Sequence, residues 1–285
     1  MQDLRDKVAV VTGGTSGIGF AVAQALGREG ARLMLADIDA TQLDEAVRRL
    51  QAAGIETEGL ATDVSKRDEV ERLADRAWER FGAVHIVMNN AGVAVFGATQ
   101  DMTHEDWMWS VNVNLWGPIH GVESFVPRMI AHGAAGHVLF TSSFAGLVSN
   151  RDLGAYNVTK AAVVALAESL RKDVAKAGIG VSVLCPMRVA TNIANCHLHR
   201  PQDLGGAGTS THGGARRHRR PGIIGGGGRG PRRRRHPPEP TLYPHAQGSG
   251  EVCADAGGSH RGGFRHCPLT LRLRLESGAR TNLRH

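Results

Sequence analysis

KVAVVTGGTSGIGFAVAQALGREG, residues 7–30, reads as a strand, a glycine turn and a helix in that order. KVAVV (7–11) is a short, wholly apolar run, which suits a strand buried on both faces. Gly13, Gly17 and Gly19 follow it in a G-x-x-x-G-x-G spacing. The helix opens at Gly17 and closes at Gly30, a C-cap position. Glycines between a strand and a helix let the backbone turn tightly and approach a pyrophosphate, which then rests on the helix N-terminus. Ser16 and Ile18 belong to the same turn and are candidate contacts.

The pattern repeats outward from this stretch. Strands are expected at ARLMLAD (31–37), EGLATDV (58–64), HIVMNN (85–90), HVLFTSS (137–143) and VSVLCP (181–186). Helices are expected between them, over about 41–53, 65–81, 103–132 and 155–177. Strand–helix alternation with apolar strands predicts an α/β fold. Its form is a doubly wound Rossmann-type parallel sheet with helices on both faces.

Ligands of open α/β sheets bind at the carboxyl ends of the strands. Asp37 ends the second strand, where a carboxylate can accept both ribose hydroxyls of adenosine and would repel a 2′-phosphate. That argues for NAD over NADP, and Ser16 and Ile38 stand where a cationic phosphate partner would be needed. Asp63 and Val64 end the third strand, and Asn90, Ala91 and Gly92 follow the fourth. Tyr156 and Lys160 lie four residues apart in AYNVTK, about one helical turn, so they share a helix face. A cation beside a phenol favours tyrosinate and is expected to lower the Tyr156 pKa. A serine in FTSSFAG (140–146) can hold a substrate oxygen while Tyr156 exchanges its proton.

Together, TGGTSGIG, Asp63, NNAG, Ser143 and YNVTK resemble the short-chain dehydrogenase/reductase family over residues 5–195. The resemblance implies Tyr156 as general acid/base, Lys160 as its partner and a nicotinamide-ribose contact, both of them cofactor-binding, and Ser143 as the substrate-orienting hydroxyl. Ser142 is the weaker candidate, because Ser143 has the family's spacing to the tyrosine. The resemblance also implies Asn114 in VNVNLWG, whose main-chain carbonyl would hold a relay water at a helix kink. Pro118 gives an independent reason for that kink, since it has no N–H for the carbonyl of Asn114. CPMRVAT (185–191) keeps the family's Pro186, Val189 and Thr191 as cofactor contacts, with Met187 where glycine is usual. TNIANCHLHRP, FVPRMIAHG and AGVAVFG are similar to bacterial aryl-alcohol Cα-dehydrogenases, implying a hydrophobic or aromatic alcohol or ketone. A homo-oligomer is implied as well.

Other residues carry two readings. Trp107, Trp109 and Trp116 pack a helix or subunit interface, or stack on a substrate. Val93–Phe96 line a pocket or pack a core. His197, His199 and His212 lack acidic partners, so no metal is expected.

The charge is divided. Residues 1–195 hold 18 Lys+Arg and 22 Asp+Glu, a net −4; residues 196–285 hold 16 Arg and 5 Asp+Glu, a net +11. The second part also holds 18 of the 37 glycines and eight of the 11 prolines, and shows no helical or strand period. Such a segment buries too little apolar area to offset its chain entropy, so a mostly disordered tail is expected beyond 195. Three readings of it stay open. It is a stretch translated out of frame, a basic arm for nucleic acid through RRHRR (216–220) and RRRR (232–235), or an idle linker. The absence of lysine after Lys176 favours the first. The family's covering helices and last strand are not recognisable in it, and GEVCADAGG (250–258) is taken as a coincidental likeness to that strand. The four cysteines form no CxxC pair, and no run is long enough for a membrane span, which fits a cytoplasmic protein. The leading expectation is an NAD-dependent secondary-alcohol oxidoreductase. The alternative is an impaired dinucleotide-binding protein with a nucleic-acid-binding tail.

Overall fold

The computed structural model describes residues 3–187, 189, 191–207 and 253–254. Strands β1 (Val8–Thr12), β2 (Arg32–Asp37), β3 (Thr57–Ala61), β4 (Ile86–Asn89), β5 (Gly136–Thr141) and β6 (Ile179–Leu184) form one parallel sheet in the order β3-β2-β1-β4-β5-β6. The order reverses between β1 and β4, and a crevice opens there at the carboxyl edge, as the doubly wound reading requires. A two-residue strand β7 (Cys253–Ala254) pairs with β6 in the opposite direction, Val183 with Ala254 and Leu184 with Cys253. Part of GEVCADAGG thus joins the sheet edge, a pairing the sequence reading did not foresee. The rest of the tail expected beyond 195 lies outside the described residues from 208 onward.

The helices are α1 (Gly17–Arg28), α2 (Ala40–Ala52), α3 (Arg67–Phe81), α4 (His104–Val111), α5 (Gly117–His132) and α6 (Gly154–Asp173). Period-2 alternation sorts the strand residues between two cores. Val8 and Val10 face Leu73, Phe125 and Val163 of α3, α5 and α6. Ala9 and Val11 face Val22, Leu26 and Leu50 of α1 and α2. Every residue of β1 is buried, but β6 alternates buried with half-buried and β3 is mostly half-buried, so the expectation of two fully apolar faces fails towards both edges.

The helix expected over 103–132 is broken. Thr103 and Asp106 form a capping box at the start of α4, and a π-helical turn (Asn112–Trp116) separates α4 from α5. The Gly117 N–H reaches back to Asn112 O, which takes it from Val113 O, and Pro118 has no N–H for Asn114 O. The sequence reading located the break, and the structure gives its form: one extra residue in the turn.

Burial of one histidine predicts an acid-sensitive fold. His137 on β5 is 4% exposed, bonds Ser182 Oγ through Nε2 at 2.9 Å, and is pushed by burial from 6.5 down to about 4. In the folded protein it stays neutral until pH falls towards 4, while the unfolded chain protonates below about 6.5. Its contribution is therefore full above pH ~6.5 and is lost on acidification, by on the order of 3 kcal/mol. Urea unfolding between neutral pH and mild acid should show a flatter decline for His137→Gln than for the parent. Equal slopes would remove His137 as the cause.

Candidate active site

The glycine turn is held by a side chain from the neighbouring strand end. Asn90 Nδ2 donates to Thr12 O and Gly13 O, both at 3.0 Å, and Asn90 Oδ1 accepts from Thr141 Oγ1 at 3.0 Å. One amide thus links β1, β4 and β5 beneath the turn. Gly13 and Gly17 adopt φ of +62° and +53°, the left-handed region that favours glycine. At Gly19 a Cβ would meet Gly13 O at 2.1 Å and Asn90 Nδ2 at 2.6 Å. Ser16 begins α1 without a side-chain cap, and no acid stands in the first turn. The helix start therefore keeps N–H groups for an anion at the cleft, which fits a dinucleotide's diphosphate. Gly19→Ala forces the turn and Asn90 apart. It should raise the dissociation constant of a bound dinucleotide by roughly tenfold to a hundredfold, as overpacking by ~1–3 kcal/mol implies. Gly54→Ala, at φ +78° and away from the cleft, strains the backbone without a steric clash, and supplies the control for fluorescence titration. Equal affinities in the two alanine variants would discard the steric account.

The strand-end acids are partly engaged by the protein itself. Asp37 Oδ2 accepts from Thr15 N (3.3 Å) and Thr15 Oγ1 (2.7 Å), and Oδ1 accepts from Asp39 N (3.3 Å). A carboxylate offers about four lone-pair sites, so capacity for a ribose hydroxyl remains. Asp63 lies past the end of β3, in the turn to α3, where its Oδ1 accepts from Ser65 N (3.0 Å) and Ser65 Oγ (2.7 Å). Asp37, Asp63, Val64, Ala91 and Gly92 all border the same cleft as the glycine turn. So do Ser16, Ile18, Pro186, Val189 and Thr191. A Cβ on Gly17 would meet Thr191 Cγ2 at 3.0 Å, so the segment after β6 closes directly on the turn.

Ser143, Tyr156 and Lys160 border this same cleft. Lys160 is 3% exposed, its Nζ donates to Thr141 O at 2.9 Å, and it lies 5.6 Å from the Tyr156 ring centroid. Burial lowers its pKa from 10.5 to about 8. Tyr156 moves the other way from expectation. Burial raises its phenol, and the hydrogen bond with Ser143 only partly opposes this. The sequence reading placed a lysine charge at the phenol. In the structure that charge points at a backbone carbonyl, so desolvation decides the direction. Ser143 Oγ also accepts from Ala145 N at 3.2 Å. Ser142 Oγ is spent on Lys160 O at 2.7 Å, which leaves Ser143 as the hydroxyl at the cleft beside Tyr156.

Asn114 is fully buried, and its side chain has a task the sequence did not reveal. Nδ2 donates to Val93 O (2.8 Å) and Thr159 Oγ1 (3.2 Å), while Oδ1 accepts from Val93 N (2.8 Å). It therefore ties the loop after β4 to the helix that carries Tyr156 and Lys160.

The cleft has a volume of about 1180 Å³. Its lining includes apolar Phe96, Trp109, Leu153, Ile193 and Leu198, together with polar Asn150, Asn192, Asn195 and His199. Val93 and Val95 are buried around Trp109, so that stretch is both core and wall, and Trp109 is 2% exposed. Trp116 instead stacks on His120 at 5.8 Å and is 47% exposed. Residues 192–204 form two 3₁₀ segments, Asn192–His199 and Gln202–Leu204, on both sides of the boundary expected at 195. This covering segment was missed because 3₁₀ turns leave no 3.6-residue period. Its apolar Ile193, Leu198 and Leu204 were the available signal. Among the described residues no cluster of three potential metal ligands occurs, and no helix is long and apolar enough to cross a membrane. His212 lies outside them, and His199, for which no acidic partner was expected, has its Nε2 3.9 Å from Asp39 Oδ2.

Fold and cleft define the class first: a doubly wound dinucleotide-binding protein with a serine, a tyrosine and a lysine at the carboxyl edge of its sheet. The short chain dehydrogenase family model matches residues 7–200, and the chain belongs to that family. It is 40% identical over 209 residues to the C alpha-dehydrogenase of Sphingobium sp., covering 73% of this chain and 68% of that protein. A short chain dehydrogenase/reductase of Burkholderia phymatum, solved in complex with NAD, is 44% identical with a TM-score of 0.70, covering 72% of this chain and 73% of the other. The apo form of LigD from Sphingobium sp. is 41% identical with a TM-score of 0.64, over 65% of this chain and 80% of that one. The chain is thus an oxidoreductase of the type that uses a nicotinamide dinucleotide.

Proposed function

We propose that the protein interconverts a secondary alcohol and a ketone, with NAD as cofactor and Tyr156 as general acid/base. The observation that carries this is the meeting of Ser143, Tyr156 and Lys160 in the same cleft as the glycine turn. When bound, the nicotinamide ring supplies or accepts the hydride. The start of α1 and the turn at Gly13, Gly17 and Gly19 would hold the diphosphate, and Pro186, Val189 and Thr191 the nicotinamide end. Asp37 would take the adenosine ribose, and its charge disfavours a 2′-phosphate, hence NAD over NADP.

Ser143 donates to the substrate oxygen and fixes it beside the phenol. Tyr156 takes the hydroxyl proton in oxidation and returns it in reduction. Lys160 keeps its ammonium 5.6 Å from the phenol ring centroid while donating to Thr141 O, and Asn114 fixes the loop after β4. The apolar walls at Phe96, Trp109 and Leu198 suit a hydrophobic or aromatic substrate, as does the 40% identity to a C alpha-dehydrogenase. Exposed Met108, Trp116 and Val158 on α4, the π turn and α6 support a homo-oligomer. The free thiols Cys185 and Cys196 fit the cytoplasm.

The test is a scan of aryl and alicyclic secondary alcohols with NAD and NADP, reading reduced-cofactor formation. Turnover preferring NAD supports the reading. NAD binding without turnover on any alcohol or ketone would return the protein to a dinucleotide-binding role, and preference for NADP would remove Asp37 as a selector.

A further inference from the structure

We propose that Arg200 is a positioning residue that anchors the covering segment 194–204 over the substrate end of the cleft. Arg200 is the most buried cation of that segment, at 5% exposure. Three separate interactions hold it. Nη1 pairs with Asp106 Oδ1 at 2.6 Å, Nε donates to Leu204 O at 2.5 Å, and the guanidinium lies 5.2 Å from the Trp109 ring centroid. A planar guanidinium suits this use, since it can stack on a ring and donate in its own plane at once.

The partners tie this anchor to the substrate wall. Asp106 is fixed independently, because its Oδ2 accepts from Thr103 N at 3.0 Å within the capping box of α4. Trp109 lies one helical turn further on, nearly fully buried, and borders the cleft. The segment's second attachment is Cys196, whose Sγ accepts from Ala94 N and donates to Ala94 O, both at 3.4 Å. Leu204 and Cys196 pack against Val93, Val95 and Trp109 in a small core of their own. The 3₁₀ backbone of this segment has few long-range hydrogen bonds to hold it, so loss of the Arg200 anchor should release it locally. On the cofactor side the segment makes only a long contact, His199 Nε2 to Asp39 Oδ2 at 3.9 Å, and Thr191 lies close to Gly17. A half-exposed pair at that distance contributes little, so losing the Arg200 anchor should act mainly on the substrate end.

The experiment compares the parent, Arg200→Met and Arg200→Lys as purified full chains. Amide hydrogen exchange should accelerate roughly tenfold or more across 194–204 in Arg200→Met, with the sheet and α1 unchanged. Lysine keeps a charge for Asp106 but loses the in-plane bond to Leu204 O, so Arg200→Lys should fall between. The kinetic arm rests on the proposed alcohol oxidation. There KM for the alcohol should rise about tenfold while kcat and the NADH dissociation constant stay within about threefold. Parent-like exchange in 194–204 would overturn the anchor whatever the activity. So would a general loss of protection in Arg200→Met with parent-like exchange in Arg200→Lys, which would make Arg200 a fold residue. Turnover with unchanged KM would overturn its link to substrate. A parent that turns over no alcohol overturns the proposed function alone, since the exchange result stands without it.

Discussion

Tyr156→Phe should lower kcat/KM for alcohol oxidation by about a thousandfold, within the range of ~10²–10⁴ that a positioned acid/base contributes. It should leave NADH affinity within about threefold, because the diphosphate and adenosine-ribose sites proposed at the glycine turn and Asp37 do not include the phenol, and Lys160 is kept. The phenol hydrogen-bonds with Ser143, so removing one oxygen removes both the proposed proton acceptor and a partner of the orienting hydroxyl. Burial raises the phenol pKa, so tyrosinate is scarce at neutral pH and grows with alkalinity. Oxidation needs tyrosinate and should climb with pH through the alkaline range. Ketone reduction needs the protonated phenol and should fall over the same range. Tyr156→Phe should abolish both trends along with the rate. A variant that keeps the parent's rate and profile would show that another group moves the proton.

The sequence made the fold legible because a doubly wound sheet writes itself in short apolar runs, and each of β1 to β6 lies within a few residues of its expected place. Site residues at strand ends were legible for the same reason: topology fixes where those ends converge. What escaped were interactions between distant positions. Asn114 reaches Val93 across 21 positions, and Arg200 reaches Asp106 across 94. No local pattern encodes either pairing. Pro118 announced a break in the helix, but a proline gives only the lost N–H, and the register shift into a π turn depends on packing around Asn114. The phenol's direction escaped because a four-residue spacing states that Lys160 is near Tyr156, not where its Nζ points or how dry its surroundings are. The 3₁₀ segments after Thr191 escaped because their order comes from side chains such as Arg200, not from periodicity.

Lys160→Met should make the protein more stable and nearly inactive. The ammonium is held in a dry site, where its pKa falls from 10.5 to about 8. At neutral pH the charge persists in folded and unfolded chains alike, so its burial costs on the order of 3 kcal/mol. Methionine fills much the same volume without charge. Thr141 O loses its donor, which returns about 1 kcal/mol of the gain. A net stabilisation of ~2 kcal/mol remains, a rise of roughly 4–8 °C in Tm. The pH dependence separates this cause from better packing. Between pH 8 and 10.5 the folded protein releases the Lys160 proton while the unfolded chain keeps it, so parental stability rises with pH there. The variant lacks that rise, and its advantage should shrink to nothing near the top of the range. Activity should fall by at least ~10², because the cation under the phenol is gone. A variant less stable than the parent at neutral pH, or one whose advantage persists undiminished at high pH, would mean that the Lys160 site does not disfavour its charge. If the stabilisation and the loss of rate appear together, the dry lysine is held against folding because the reaction needs it there.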